Sequence, residues 1–207
     1  MKYSFIIFDM DGTLVQSEDC ASQALIDVIP DLNDSAAEVT ERYKGMRLAE
    51  IFSDIERRIP GAIPDKCLEL YREREEALSR TMITPSDGVE TLLSELKLER
   101  CIASNAPVEK TRRSLEICGI SHHFKDNVYS AYEVQAWKPD PKLFLHAAAS
   151  HNRNPTDCLV LEDSVVGIKA AQAAGMHPVF YAPHEPTQEI EGIPTISKLV
   201  DLLPLIT

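Results

Sequence analysis

The sequence predicts an α/β fold: a doubly wound parallel sheet with an all-helical segment inserted after its first strand. Three observations predict it. The chain opens on a short apolar run, Tyr3-Ser4-Phe5-Ile6-Ile7-Phe8, that ends in an acid; such a run reads as a buried parallel strand whose C-terminal end meets a site. From Gly88 onward strand and helix signals alternate, the pattern of a parallel sheet with helices on both faces. Between these two stretches, from Glu18 to about Met82, the apolar spacing turns helical and no strand signal appears. The first strand needs the sheet of the second half. The helical stretch is therefore expected as an insert, with one domain at 1–15 and 85–207 and the other at 16–84.

Within the insert, helices are expected at Cys20–Ile29, Ala36–Tyr43, Leu48–Ile59 and Asp65–Met82, punctuated by Pro30, Gly45, Pro60-Gly61 and Pro64. Thr84-Pro85-Ser86-Asp87-Gly88 then marks a hinge-like return. Helix Val89–Leu98 leads to strand Arg100–Ser104, and helix Val108–Cys118 to strand Asn127–Ser130. Helix Pro141–Ser150 leads to strand Cys158–Glu162. Helix Val165–Ala174, with Gly175 placed to end it, leads to strand Pro178–Tyr181, and Ser197–Leu203 closes the chain.

Composition narrows the function classes. At 207 residues and 44% hydrophobic content, the chain can bury a sizeable core. A net charge of −12 argues against nucleic acid or an anionic membrane surface as partner, since either asks for a basic patch. No signal peptide or membrane-spanning run is apparent. The five cysteines, Cys20, Cys67, Cys101, Cys118 and Cys158, are scattered without a C-x-x-C. That pattern fits a reducing cytoplasm better than a disulfide framework or a zinc site.

Four segments carry chemistry. Asp9-Met10-Asp11-Gly12-Thr13 places two carboxylates two residues apart at a strand end, before a turn glycine. Oxygen donors of this kind suit Mg²⁺, and the pair also offers a nucleophile beside a proton-handling acid. The plainer alternative is an acidic turn. By composition, D-x-D-G-T should arise in well under ~1 in 100 chains of this length, which favours the site. Cys158-Leu159-Val160-Leu161-Glu162-Asp163-Ser164 is a second buried strand ending in acids. A parallel sheet would bring these acids to the same edge as Asp9, so that three carboxylates converge on one cation. Capping of the next helix by Asp163 or Ser164 would account for one acid but not two. Ser104-Asn105-Ala106-Pro107 offers a hydroxyl, an amide and a helix start, which is either an anion site or an ordinary cap. Lys138, between Trp137 and Pro139-Asp140-Pro141, is a cation aimed by rigid neighbours or a solvated loop lysine.

Taken together and in order, Asp9-Met10-Asp11-Gly12-Thr13, Ser104-Asn105, Lys138-Pro139-Asp140-Pro141 and Glu162-Asp163-Ser164 with Gly167 resemble the haloacid dehalogenase superfamily of phosphotransferases. The helical insert looks like that family's small cap, as in its β-phosphoglucomutase-like branch, set on a Rossmann-like core. Trp137–Pro141 and Phe144–Ala149 are similar to the bacterial 6-phosphogluconate phosphatases among its sugar phosphatases. The resemblance implies a phosphatase acting on a small phosphorylated metabolite. Asp9 would be the nucleophile that becomes an aspartyl-phosphate, and Asp11 the general acid and base. Asp9 and Asp163 would bind Mg²⁺ through their side chains, Asp11 through its backbone carbonyl and Glu162 through water. Ser104, Asn105 and Lys138 would hold the phosphoryl group. In the insert, Lys44-Gly45-Met46-Arg47 resembles a substrate-specificity loop, with Lys44 or Arg47 facing an anionic substrate; a helix–helix turn with solvated charges is the equal alternative.

Two features separate the chain from the mutases of that branch. Where they carry a histidine in the first cap helix, this chain has Ala21 or its neighbours Cys20 and Ser22, and Gln16 replaces an acid frequent after the first motif. Both favour a hydrolase over a phosphotransferase. A phosphate-sensing module without turnover is the reading from another class, and Asp11 beside Asp9 argues against it. None of the glycines is followed by lysine and no G-x-G occurs, so nucleotide-binding loops are absent. The histidines give no metal pattern with a nearby acid: His122 and His123 are expected at the surface, His146 and His151 on one helix, and His184 near a loop. A monomer is the expected state.

Overall fold

Every residue of the first strand is buried, which is possible only in a sheet covered on both faces. The structure, a computed structural model, describes residues 3–183 and 190–206; His184 lies outside the described residues. In chain order the elements are β1 (Phe5–Phe8), β2 (Val15–Gln16), α1 (Glu18–Val28), α2 (Ala36–Tyr43), α3 (Leu48–Arg58) and α4 (Cys67–Met82). Next come β3 (Thr84–Pro85), α5 (Val89–Glu95), β4 (Glu99–Ser104), α6 (Val108–Ile117), β5 (Val128–Ser130) and α7 (Ala131–Val134). The last are α8 (Lys142–Ser150), β6 (Cys158–Glu162), α9 (Val165–Ala173), β7 (His177–Tyr181), β8 (Thr195–Ile196) and α10 (Leu203–Ile206). Short 3-10 turns stand at Ser121–His123, Pro155–Asp157 and Leu199–Leu202.

Six strands form one parallel sheet in the order β5-β4-β1-β6-β7-β8. The chain winds outward from β1 in both directions, so the strand order reverses at β1. In open α/β sheets the crevice at that point, beyond the C-terminal strand ends, is where ligands bind. The register sets Phe8 beside Ile102 of β4 and beside Leu161 of β6. Asp9 and Glu162 therefore leave the sheet at the same level.

The pleat sorts β1 by face. Phe5 and Ile7 share a buried cluster with Cys101, Ala103, Cys158 and Val160 from the neighbouring strands, and with Leu143, Phe144 and Ala147 of α8. Ala170, Ala171 and Ala174 let α9 approach this face closely. Phe8, on the opposite face, meets Phe124 edge-to-face with ring centroids 6.0 Å apart.

Two compact units result, Met1–Val15 with Pro85–Thr207, and Gln16–Thr84. The second has a core of its own, built from Leu25, Ile29, Val39, Tyr43, Ile55 and Tyr71 among others. Ser35 opens α2 with a reciprocal cap: its hydroxyl accepts from the Glu38 N–H while the Glu38 carboxylate accepts from the Ser35 N–H. β2 and β3, where the chain passes between the units, pair with each other.

Several boundaries differ from expectation. α4 starts at Cys67 rather than Asp65, because Lys66 takes a left-handed conformation at φ 60°. α5 ends at Glu95 rather than Leu98, since Leu96 is already extended. The strands β2, β3 and β8, two residues each, and the four-residue α7 were not expected; no periodicity shows in so few residues. His151 caps α8 rather than lying within it.

Candidate active site

Asp9, Ser104 and Glu162, three of the expected site residues, stand where three neighbouring strands end. β1 runs into Asp9, after which the backbone folds back sharply: the N–H groups of Thr13, Leu14 and Val15 all turn to the Met10 carbonyl. Gly12 makes this turn at φ +82°, a region that L side chains rarely adopt. The turn also needs a glycine for space, since a Cβ there would come within 2.3 Å of Asp163 Oδ2. Asp163 is thus pressed against the first loop, where the Thr13 hydroxyl donates to its Oδ1 at 3.3 Å.

Glu162, the last residue of β6, is 1% exposed. Its Oε2 accepts from both the N–H and the hydroxyl of Ser164, at 3.2 and 2.8 Å. Ser164 also caps α9, its Oγ accepting from the Gly167 N–H at 3.1 Å. Of the two capping candidates, the serine caps.

Lys138 binds the two strand ends together. Its ammonium donates to Asp9 Oδ1 at 2.5 Å and to Glu162 Oε1 at 2.6 Å, and it lies 5.0 Å from the centre of the Phe144 ring. At 4% exposure it is no solvated loop lysine. Asn105 shapes its loop, the side-chain oxygen accepting from the Lys138 N–H at 3.0 Å, and the Lys138–Pro139 peptide bond is cis.

One oxygen each from Asp9, Glu162 and Asp163 gather within 4.8 Å of one another, all three residues buried. Three carboxylates stand here against one ammonium. Burial pushes the Asp9 carboxyl up to about 7, and the charge of Glu162 adds to this against the pull of Lys138. For Lys138, burial acts downward, but Asp9 and Glu162 outweigh it and hold the ammonium charged. A buried surplus of negative charge is costly without a cation. An all-oxygen donor set suits a hard dication such as Mg²⁺.

The remaining expected residues divide. Ser104 ends β4, almost fully buried, its Oγ accepting from the Ala106 N–H at 3.0 Å. Asp11 is partly exposed and pairs with Lys110 of α6 at 3.2 Å. Lys44, Gly45 and Arg47 belong to the helical unit, exposed between α2 and α3. Lys44 pairs there with Glu18 at 3.2 Å, and the Arg47 N–H donates to Glu50 at the start of α3.

Three partners were missed by sequence reasoning: Thr13, Ser164 as the anchor of Glu162, and Lys110. Ser164 was legible as a cap, three residues before Gly167. Lys110 gave no signal, because a lysine on a predicted helix is ordinary. One expectation is corrected. His122 and His123 do have a nearby acid, Glu90, which the fold brings to them across more than thirty residues; His123 Nε2 is 3.1 Å from both of its oxygens.

Among the described residues no helix is long and apolar enough to cross a membrane. The chain is 34% identical over 204 residues to the 6-phosphogluconate phosphatase of Escherichia coli (strain K12), covering 97% of this chain and 91% of that protein. It is 31% identical to the β-phosphoglucomutase of Bacillus subtilis (strain 168), covering 87% and 84%. The crystal structure of a conserved haloacid dehalogenase-like protein from Agrobacterium tumefaciens str. C58 superposes with a TM-score of 0.84 at 31% identity, covering 99% of this chain and 97% of that one. The haloacid dehalogenase-like hydrolase family model matches residues 3–175, and the chain belongs to that family.

Proposed function

We propose that this chain hydrolyses the phosphate monoester of a small sugar phosphate, with Asp9 as the nucleophile and Mg²⁺ as the cofactor. The observation that carries the reading is the buried cluster of Asp9, Glu162 and Asp163 around Lys138, at the point where the strand order reverses. Membership of a hydrolase family supports it, as does similarity to a 6-phosphogluconate phosphatase along almost the whole chain. 6-Phosphogluconate is the first substrate to try. A monomer working in the cytoplasm is part of the same proposal; all five cysteines are free thiols, four of them buried.

Asp9 and Asp163 would hold the metal through their side chains and Asp11 through its backbone carbonyl, with Glu162 acting through water. Bound there, the ion would neutralise charge on the phosphoryl oxygens and on the carboxylates around them. Asp9 attacks phosphorus through a carboxylate oxygen, the phosphorus–oxygen bond to the sugar breaks, and the phosphoryl group passes to Asp9. Asp11 gives its proton to the leaving sugar oxygen. It then takes a proton from the water that attacks the aspartyl-phosphate, releasing inorganic phosphate and restoring Asp9. Lys110, paired with Asp11, holds that carboxyl on the side of α6. Lys138 stays protonated and opposes the charge on the transferring group, while Ser104 and Asn105 complete the cradle.

The mutase alternative, raised by the Bacillus subtilis relative, asks for a proton-handling side chain on α1. The positions in question are otherwise engaged: Cys20 is buried with its thiol toward the Glu75 carbonyl, and the Ser22 hydroxyl bonds that of Thr40 at 2.7 Å. Both favour the hydrolase. The test is phosphate release from a panel of phosphorylated metabolites in the presence of Mg²⁺. Release from sugar phosphates is expected; a panel without any release would contradict the assignment.

A further inference from the structure

We propose that Glu90, His122 and His123 form a second metal site, at the surface, for a borderline transition-metal dication of the Zn²⁺ class. Each offers a ligand atom, and the three atoms lie within 4.8 Å of one another. None of these residues belongs to the cluster around Asp9. Two imidazoles with one carboxylate suit Zn²⁺, whereas Mg²⁺ prefers oxygen donors throughout.

The spacing matches that chemistry. Ligand atoms about 2.0–2.2 Å from a tetrahedral Zn²⁺ stand roughly 3.3 Å apart. His123 Nε2 is 3.1 Å from each oxygen of Glu90, so one edge of such a tetrahedron is already in place. The His122 ring lies beside that of His123, centroids 4.0 Å apart. Three protein ligands leave the fourth position for water or an anion.

The site is held from below. Both histidines sit on the 3-10 turn Ser121–His123, pinned by the buried flanking residues Ile120 and Phe124. Phe124 rests on Phe8 of the central strand. On the other side, the Ser94 hydroxyl donates to Glu90 Oε1 at 3.0 Å and fixes the carboxylate, the kind of outer hydrogen bond that orients metal ligands. Supporting bonds of this kind distinguish a preorganised group from three side chains that merely share a surface.

The test is calorimetric titration of ZnCl₂ into the protein stripped of transition metals, with Mg²⁺ in excess, followed by Co²⁺ titration read by visible absorption. One Zn²⁺ per chain is expected to bind despite the Mg²⁺, with Co²⁺ giving the intense bands of a four-coordinate site. His122→Ala and Glu90→Gln, both at exposed positions and checked for fold by circular dichroism, should each weaken binding about tenfold or more. Unchanged affinity in the folded variants, or no Zn²⁺ bound by the parent protein, would overturn the proposal.

Discussion

Glu162 fills the space that a side chain at Gly167 would need. A Cβ built there would lie 1.9 Å from the Glu162 carboxyl carbon. The carboxylate has little room to yield, because Lys138 holds one of its oxygens and Ser164 the other. Gly167 is thus the floor under Glu162, and a helical glycine earns its place by what lies above it.

Gly167→Ala should therefore lower kcat/KM by about tenfold or more while leaving a folded protein, since alanine itself favours a helix by about 1 kcal/mol over glycine. Steady-state kinetics beside a thermal melt separates the two effects. An active variant with an unchanged KM for Mg²⁺ would show that Glu162 can move without consequence.

Chelation by EDTA should abolish hydrolysis, and added Mg²⁺ should restore it. Asp163→Ala should raise the Mg²⁺ concentration needed for half-maximal activity far more than Glu162→Ala, because a direct ligand outweighs one acting through water. Full activity of the chelated enzyme would remove the metal from the account.

The helical unit should lose stability in acid. Hydrogen bonding to Arg42 holds the Asp34 carboxyl below its usual value against the opposing effect of burial, and Arg58 assists. Asp27 is lowered in the same sense, first by Gln23 and then by Arg74, and Asp54 by Tyr43 and then Arg57. A carboxyl lowered on folding stabilises above its unfolded value, near 4, and that contribution fades as pH falls through the folded value. Asp34→Asn should lower the unfolding free energy at pH 7, read by urea titration, by no more than about 1 kcal/mol, as surface networks do. At pH 3 the difference should shrink; a difference that persisted undiminished would assign Asp34 a role other than charge.

Arg47→Ala tests the loop that resembles a specificity element. If Arg47 selects the leaving group, kcat/KM should fall for anionic sugar phosphates and hold for a small aryl phosphate, both of which present the same phosphoryl group. Equal losses on both substrates would show that Arg47 acts on folding or on the core, and the specificity assignment would fall.

What the sequence revealed of this molecule follows the range of the forces involved. β1, β4 and β6 were legible because strands buried on both faces read as apolar runs, and their polar ends marked the edge at which Asp9, Ser104 and Glu162 emerge. Lys138 was legible only in part. Its prolines hinted at a fixed loop, but its burial between Asp9 and Glu162 is a product of tertiary structure. The pairing of Asp11 with Lys110 and the meeting of Glu90 with His122 and His123 left no local trace, because each joins residues distant in sequence through ordinary surface-type side chains. α7 and β8 are too short for any periodicity to register. Lys66, in a left-handed conformation that favours glycine, displaced the start of α4 against its own residue type.

Asp9 is the proposed nucleophile, and one measurement reaches it directly. The enzyme, turning over a sugar phosphate with Mg²⁺, is quenched rapidly in acid, digested and mapped by mass spectrometry beside the Asp9→Asn variant. The prediction is a phosphoryl group on the peptide containing Asp9 in the parent protein. The variant should carry none, with turnover reduced at least about a thousandfold. A phosphoryl group on another residue, or an Asp9→Asn variant that hydrolyses substrate at the parent rate, would contradict it.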